Sequence, residues 1–116
     1  MYGRRFDRDG NAIGGEFLVS NTAIDEQHPE IAALSDGSFV IVWAANKVGD
    51  GIVNGIQGQR YDRNGDPFGE QFTVSIPDSY QVWPAIDKLP NGDFVVTWQT
   101  LETDNQWNFY GQRFGK

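Results

Sequence analysis

The chain has 116 residues, of which 39% are hydrophobic and 14% aromatic, enough for one folded domain with a buried core. Its formal net charge of -7 argues against nucleic acid and against anionic membrane surfaces as partners. No apolar run is long enough for membrane insertion, and the absence of cysteine excludes disulfides and thiolate chemistry.

Frequent Asp-Gly and Asn-Gly pairs predict many short strands joined by tight turns. Alternating and β-branched runs define four types of strand, A to D, with a short turn between A and B and another between C and D. In chain order they are C (3–7), D (16–20), A (29–35), B (38–43), C (58–62), D (71–75), A (84–90), B (93–98) and C (110–114).

The second half of the chain repeats the first. Residues 3–43 and 58–98 are identical at 16 of 41 positions without a gap, and the register then resumes at 110–114. Four antiparallel strands in a tandem repeat of this length are typical of a β-propeller blade. We therefore predict an all-β protein with two four-stranded propeller blades per chain. The domain boundaries are 1–116 for the single domain, about 3–57 for repeat 1, about 58–110 for repeat 2 and 111–116 for a partial third repeat.

Strand C occurs at both ends of the chain, so one complete blade lies between a C-D pair and an A-B-C set. Two blades cannot close a ring alone, and part-blades expose strand edges that favour aggregation. We expect the A-B pair of one chain to be completed by the C-D pair of another. This gives a homotrimer with six blades or, as the alternative, a homotetramer with eight. One copy of strand C, within 1–7 or 108–116, is then displaced.

The A-B and C-D turns lie on one face of the predicted blades, and the longer, dissimilar D-A and B-C loops lie on the other. Variable loops on a rigid scaffold are the usual place for recognition residues. Trp and Tyr provide rigid faces for stacking, and Asp, Asn and Gln can bond sugar hydroxyls. The alternative is that the aromatic residues seal the interface between blades or chains. The candidate ligand-binding residues are His28, Tyr80, Gln81, Trp83, Asp104, Asn105 and Trp107, with Gln106 and Phe109 beside them.

Two acidic segments and three arginines recur in the repeats. Segments 7–11 and 62–66 place oxygen ligands at alternate positions, but they lack the Gly and Glu spacing of a calcium loop, so we favour hairpin turns over calcium. No cofactor is expected. Arg5, Arg60 and Arg113 recur in strand C, where ion pairs or stacking are favoured over an anion site.

Catalysis is not indicated by the side chains that the sequence provides. Trp43 and Trp98, which end strand B, are predicted to lie in the core between blades. The single histidine, His28, has no cysteine and no second histidine at metal-binding spacing. Carboxylate pairs such as Glu102 and Asp104 are common in an acidic chain. We expect no enzyme, and glycoside hydrolysis by these two carboxylates is a third hypothesis behind binding and scaffolding.

The motifs at 58–75, 84–98 and 110–114 resemble tandem repeats of large secreted or surface proteins of bacteria, which often accompany RTX-type or cadherin-like adhesion modules. The resemblance covers essentially the whole chain. It implies propeller blades and a secreted or cell-surface location, although no signal-peptide pattern follows Met1. Two-blade lectins that trimerise into six-bladed rings are similar in architecture alone. The expected function is a lectin-like binding module with glycan partners, or alternatively an adhesin scaffold segment or an engineered propeller fragment.

Overall fold

The computed structural model describes residues 1–20, 25–46, 53–75, 80–101 and 105–115. All regular secondary structure in this part of the chain is β-strand, so the prediction of an all-β fold is confirmed. No helix capable of spanning a membrane is found among these residues. The strands are β1 (Tyr2–Phe6), β2 (Ala12–Leu18), β3 (Asp25–Ala33), β4 (Phe39–Asn46), β5 (Val53–Tyr61), β6 (Phe72–Ser75), β7 (Tyr80–Lys88), β8 (Phe94–Leu101) and β9 (Trp107–Phe114).

The strands of the described residues form three antiparallel sheets. The first is the β1-β2 hairpin, the second has the order β3-β4-β5-β6, and the third has the order β7-β8-β9. This division matches the predicted C-D pair, complete A-B-C-D set and A-B-C set. Both terminal copies of strand C are paired within their own chain, β1 with β2 and β9 with β8.

Strands β3 and β7 begin earlier than the sequence predicts. Each contains a proline, Pro29 or Pro84, that cannot donate to the sheet ladder, and the predicted strands therefore start there. In the structure β3 pairs with β4 on both sides of a bulge between Gln27 and Glu30. Strand β7 has the equivalent irregularity. The bulge absorbs the proline and lets pairing continue toward the variable loops.

Apolar side chains cover both faces of the second sheet, because successive residues of β4 point to opposite sides. Trp43 is fully buried on the side of the β1-β2 hairpin. Val42 and Trp98 are buried between the second and third sheets, Trp98 with 7% of its surface exposed. The prediction that both tryptophans lie in the core is confirmed.

Candidate functional site

Three of the predicted ligand-binding residues form one aromatic group. His28 lies on β3, Trp83 on β7 and Trp107 on β9. The ring centroids of His28 and Trp83 are 5.9 Å apart with an interplanar angle of 66°, and those of Trp83 and Trp107 are 5.9 Å apart at 30°. Both distances are those of interacting aromatic pairs. We call His28, Trp83 and Trp107 the aromatic cluster.

The aromatic cluster is open to solvent although its rings touch. Trp83 keeps 51% of its surface exposed and Trp107 keeps 43%, and His28 is also exposed. Large apolar surfaces of this kind are costly in water, so an exposed group of them marks a surface that contacts something else.

Two members of the aromatic cluster have a left-handed backbone. The φ angle is 55° at His28 and 53° at Trp83. Each precedes a proline, which disfavours the helical region, and bulky residues at positive φ are outliers. A left-handed residue other than glycine costs roughly 1–2 kcal/mol. The strain occurs at the same position of both repeats, at the bulge, where it redirects the side chain away from the regular alternation.

Trp107 lies on the opposite edge strand of the third sheet from Trp83. As the first residue of β9 it pairs with Leu101 of β8, so its indole reaches Trp83 of β7 across the central strand. Asn105, another predicted residue, lies two positions earlier with φ of 62° and is exposed. Asn tolerates this conformation better than most residues, which allows the chain to turn tightly into β9.

The remaining predicted residues are Gln81, Tyr80 and Asp104. Gln81 is 5% exposed, and its Oε1 accepts a hydrogen bond from the Ser75 hydroxyl. Tyr80 begins β7 and pairs with Leu101. Asp104 lies outside the described residues, as does Glu102.

The location of the predicted site in variable loops is corrected by the structure. The bulge and the strand extensions place five of the seven residues in strands instead: His28, Tyr80, Gln81, Trp83 and Trp107.

The geometry of segments 7–11 and 62–66 agrees with the prediction that both are hairpin turns. Oδ1 of Asp7 accepts hydrogen bonds from the backbone N–H groups of Asp9 and Asn11, each at 2.9 Å. Asp62 makes the same turn with Asn64 and Asp66. The backbone hydrogen bond from Asn11 is the main cause that holds the pKa of Asp7 below its ordinary value. These carboxylates therefore close turns.

The three recurring arginines have structural partners. Nη1 of Arg5 donates to the carbonyl of Asn64 at 2.8 Å. The Arg60 guanidinium carbon lies 5.7 Å from the ring centroid of Phe68, and Arg113 forms an ion pair of 3.0 Å with Asp93. Arg60 also lines a cavity of about 400 Å³ together with Tyr61, Asp62, Arg63, Phe68, Asp36 and Ser38. The sequence did not indicate this cavity, because it depends on which turn lies beside the arginine.

The aromatic cluster combines apolar ring faces with polar edges. The indole N–H and the imidazole nitrogens can exchange hydrogen bonds, while the ring faces accept flat apolar groups. No protein-family model matches the sequence, and no curated protein matches it at a significant level. The chemistry of the aromatic cluster is therefore the basis for assigning a ligand.

Proposed function

We propose that this protein is a non-enzymatic binding module built from β-propeller blades, and that its aromatic cluster binds carbohydrate. One observation carries the proposal. Three aromatic rings from three strands and two sheets meet at the surface while remaining open to solvent. His28 and Trp107 are far apart in the sequence. Holding their side chains in one cluster therefore costs chain entropy, which the folded scaffold must offset.

The backbone strain supports a recognition role. Left-handed residues other than glycine persist where the surrounding structure forces them, and they concentrate at ligand sites. His28 and Trp83 share this feature at equivalent positions of the two repeats. Rigid presentation reduces the entropy that a flexible aromatic side chain loses when it binds.

Carbohydrate is the ligand class that fits this surface best. A sugar ring presents a face of C–H groups that packs on an indole face, and its hydroxyls point outward to polar partners. Trp83 and Trp107 supply adjacent faces with an interplanar angle of 30°. The exposed Asn105 lies two residues from Trp107 and offers both a donor and an acceptor.

We place this binding module in a homotrimeric ring of six blades, with a homotetramer as the alternative. The division of the strands into C-D, A-B-C-D and A-B-C sets supports the idea that blades are shared between chains. A closed ring also removes the exposed edges of the first and third sheets. The proposed secreted or cell-surface location rests on the resemblance of the repeats alone.

A scaffold function without a small ligand is the second candidate. The specific observation in its favour is that Trp83 contacts His28 of the neighbouring sheet, so the aromatic cluster also joins two sheets. Such a segment belongs in a surface adhesin, or in a fragment engineered from one.

A glycan array followed by acrylamide quenching of tryptophan fluorescence tests the binding proposal. We expect one class of glycan to bind and to protect the exposed indoles of Trp83 and Trp107, because Trp43 and Trp98 are already buried. Substitution Trp83→Ala should weaken binding at least tenfold, which corresponds to about 1.4 kcal/mol.

The matched control is Phe109→Ala. Phe109 is 75% exposed and belongs to the same strand as Trp107, so it reports the general effect of removing an exposed aromatic ring from β9. We expect this variant to bind the same glycan normally. The absence of any glycan response, with unchanged quenching, would instead assign the scaffold function.

A further inference from the structure

Arg5 of the β1-β2 hairpin binds the turn between β5 and β6 through its guanidinium group. Its Nη1 and Nη2 donate to the carbonyls of Asn64 and Arg63 at 2.8 and 3.0 Å. Gly65 of that turn lies directly against the arginine, since a Cβ atom there would be 2.8 Å from Cδ of Arg5. A planar guanidinium with two parallel donors suits two successive carbonyl groups. This contact joins the first sheet to the second.

Arg60 occupies the position of Arg5 in the second repeat, but its surroundings differ. It lines the cavity of about 400 Å³ beside Phe68, and its guanidinium carbon is 5.8 Å from the ring centroid of Phe94 in the third sheet. The third sheet has three strands among the described residues, so it supplies no C-D turn to this cavity. The arginine is in place, but none of the described residues forms a turn beside it like the one that Arg5 binds.

A turn of the required shape lies at the other end of the molecule. In the β1-β2 turn the N–H of Asp7 donates to the carbonyl of Asn11 at 2.8 Å, as Asp62 does to Asp66 in the β5-β6 turn. The φ angles of the two turn glycines agree as well, 87° at Gly10 and 88° at Gly65. Their environments do not agree, because a Cβ atom at Gly10 would meet nothing within 4 Å.

We propose that the cavity beside Arg60 binds the β1-β2 turn of a second copy of this chain. By the repeat correspondence, Arg60 donates to the carbonyls of Arg8 and Asp9 of that copy, which are equivalent to Arg63 and Asn64. The inference rests on the ring assembly proposed above and identifies the contact that closes it.

The same assembly explains which terminal strand C is displaced. The hairpin of the second copy enters the third sheet as a unit, and β1 takes the place of residues 110–114 of β9, the segment that matches it in sequence. Trp107 at the start of β9 keeps its pairing with Leu101, so the aromatic cluster is retained. Strand β9 is exposed at seven of its eight positions, and Phe114 alone is half-buried. Strand β5, the complete copy of the same strand type, contains the buried residues Ile56 and Tyr61. Tyr110 and Phe114 of β9 stack on Trp98 and Phe94. The matching residues Tyr2 and Phe6 of β1 can take over this cover.

A second surface of the hairpin fits the same partner. The groove between the hairpin and the second sheet has a volume of about 540 Å³ and is lined by Phe6, Phe17, Ile31 and Phe39, among others. Ile31 is 60% exposed there, whereas its equivalent Ile86 packs against the core between the second and third sheets. The proposed occupant of the groove is the β7-β8 pair of the second copy.

Cysteine cross-linking tests the docking geometry without background, because the chain contains no cysteine. A Cβ built at Gly37 lies 3.3 Å from Cβ of Arg63 in the same sheet, close to the usual disulfide separation of about 3.5–4.5 Å. Their repeat equivalents are Gly92 and Arg8. We expect the pair Gly92→Cys and Arg8→Cys to form a disulfide between chains under mild oxidation.

The matched control is the pair Gly37→Cys and Arg63→Cys, which should close within one chain. Gly37 and Gly92 have φ angles of 88° and 91°, so both cysteine pairs carry the same backbone strain. Non-reducing electrophoresis should show multiples of the 13.0 kDa chain for the first pair and a monomer for the control. If the first pair remains monomeric while the control closes, the docking proposal is wrong.

Single arginine substitutions give an independent measurement on the full chain. We expect Arg60→Met to lower the fraction of assembled chains at least tenfold in sedimentation velocity. Arg5→Met should lower the thermal midpoint of the single chain and leave assembly largely intact. Equal assembly of both variants would overturn the proposal. A trimer in solution that shows neither the cross-link nor the Arg60 effect would retain the ring and reject this contact.

Discussion

Ile31 and Ile86 are isoleucines at the same position of the two repeats, but their surroundings differ. Ile86 packs against the apolar core between the second and third sheets, whereas Ile31 is 60% exposed beside the two-stranded hairpin. Their strands and neighbouring turns are alike. The difference arises from the adjacent sheet, which has three strands on one side of the second sheet and two on the other.

The outer face of β8 shows the complementary difference. Val95, Thr97 and Gln99 are equivalent to Val40, Val42 and Ala44, which are all buried on β4. Thr97 is exposed and the other two are half-buried. Two apolar positions of β4 are polar in β8, whose outer face has no further sheet beside it among the described residues. This face is suited to a contact that forms and dissociates, because its exposed surface remains soluble.

The largest expected effect comes from truncating the phenylalanine at the start of each strand B, Phe39 of β4 and Phe94 of β8. Phe94 is 1% exposed and packs parallel to Phe114 with ring centroids 5.2 Å apart, whereas Phe39 is half-buried. We expect Phe94→Ala to lower the unfolding free energy by about 3–5 kcal/mol, because it leaves a cavity in the core. Phe39→Ala should cost clearly less. Urea unfolding at low protein concentration measures both, and equal losses would show that the hairpin covers its side completely.

The two isoleucines provide the next test. Ile86→Ala should destabilise the dilute protein by about 2 kcal/mol, at the low end for isoleucine truncation because the residue is only partly buried. Ile31→Ala should change stability by about 0.5 kcal/mol or less, as expected for an exposed position. These differences are measured by urea unfolding under identical conditions. An effect of Ile31→Ala as large as that of Ile86→Ala would contradict the open groove.

A charged substitution in the groove sharpens the same prediction. Ile31→Asp should leave the dilute chain folded but prevent assembly, since docking of β7-β8 would bury an unpaired carboxylate. Sedimentation velocity distinguishes the two effects. Unchanged assembly of Ile31→Asp would show that the groove stays open in the assembled protein.

Local sequence chemistry was sufficient to predict the strand order and the turns. Asp7 and Asp62 close their hairpins through backbone donors within the same turn, so no distant residue has to be known. The alternating runs of strand B similarly identify Trp43 and Trp98 as core residues. Each of these features depends on neighbours within a few positions of the chain.

The arrangement of the candidate site depends on contacts that a single sequence does not display. The left-handed angles at His28 and Trp83 arise because strand pairing continues past a proline through a bulge. The sequence gives no sign that pairing resumes. The different partners of Arg5 and Arg60 are equally hidden, since the two residues share a motif and differ only in the sheet beside them.

The smallest expected effect concerns the two A-B turns. Oδ1 of Asp36 accepts hydrogen bonds from both the hydroxyl and the backbone N–H of Ser38. The equivalent residue of repeat 2 is Asn91, whose Oδ1 accepts from the N–H of Asp93 at 3.2 Å. The Ser38 hydroxyl is the main cause that holds the pKa of Asp36 below its ordinary value of 3.8. The carboxylate that closes the first turn is therefore sensitive to acid, whereas the Asn91 amide that closes the second turn does not titrate.

The sign of the pH effect follows from the lowered pKa. Folding favours the ionised form of Asp36, so this stabilisation is fully present above pH 3.8. It is lost as the pH falls through the lower pKa of the folded state. Asp36→Asn copies the chemistry of the second turn and should flatten the dependence of the thermal midpoint on pH below this value. Ser38→Ala, which removes the main cause of the shift, should flatten it in part. Because Asp36 is fully exposed, both changes will be small. If the thermal midpoint of Asp36→Asn falls with acid as steeply as that of the parent protein, another carboxylate controls the acid response.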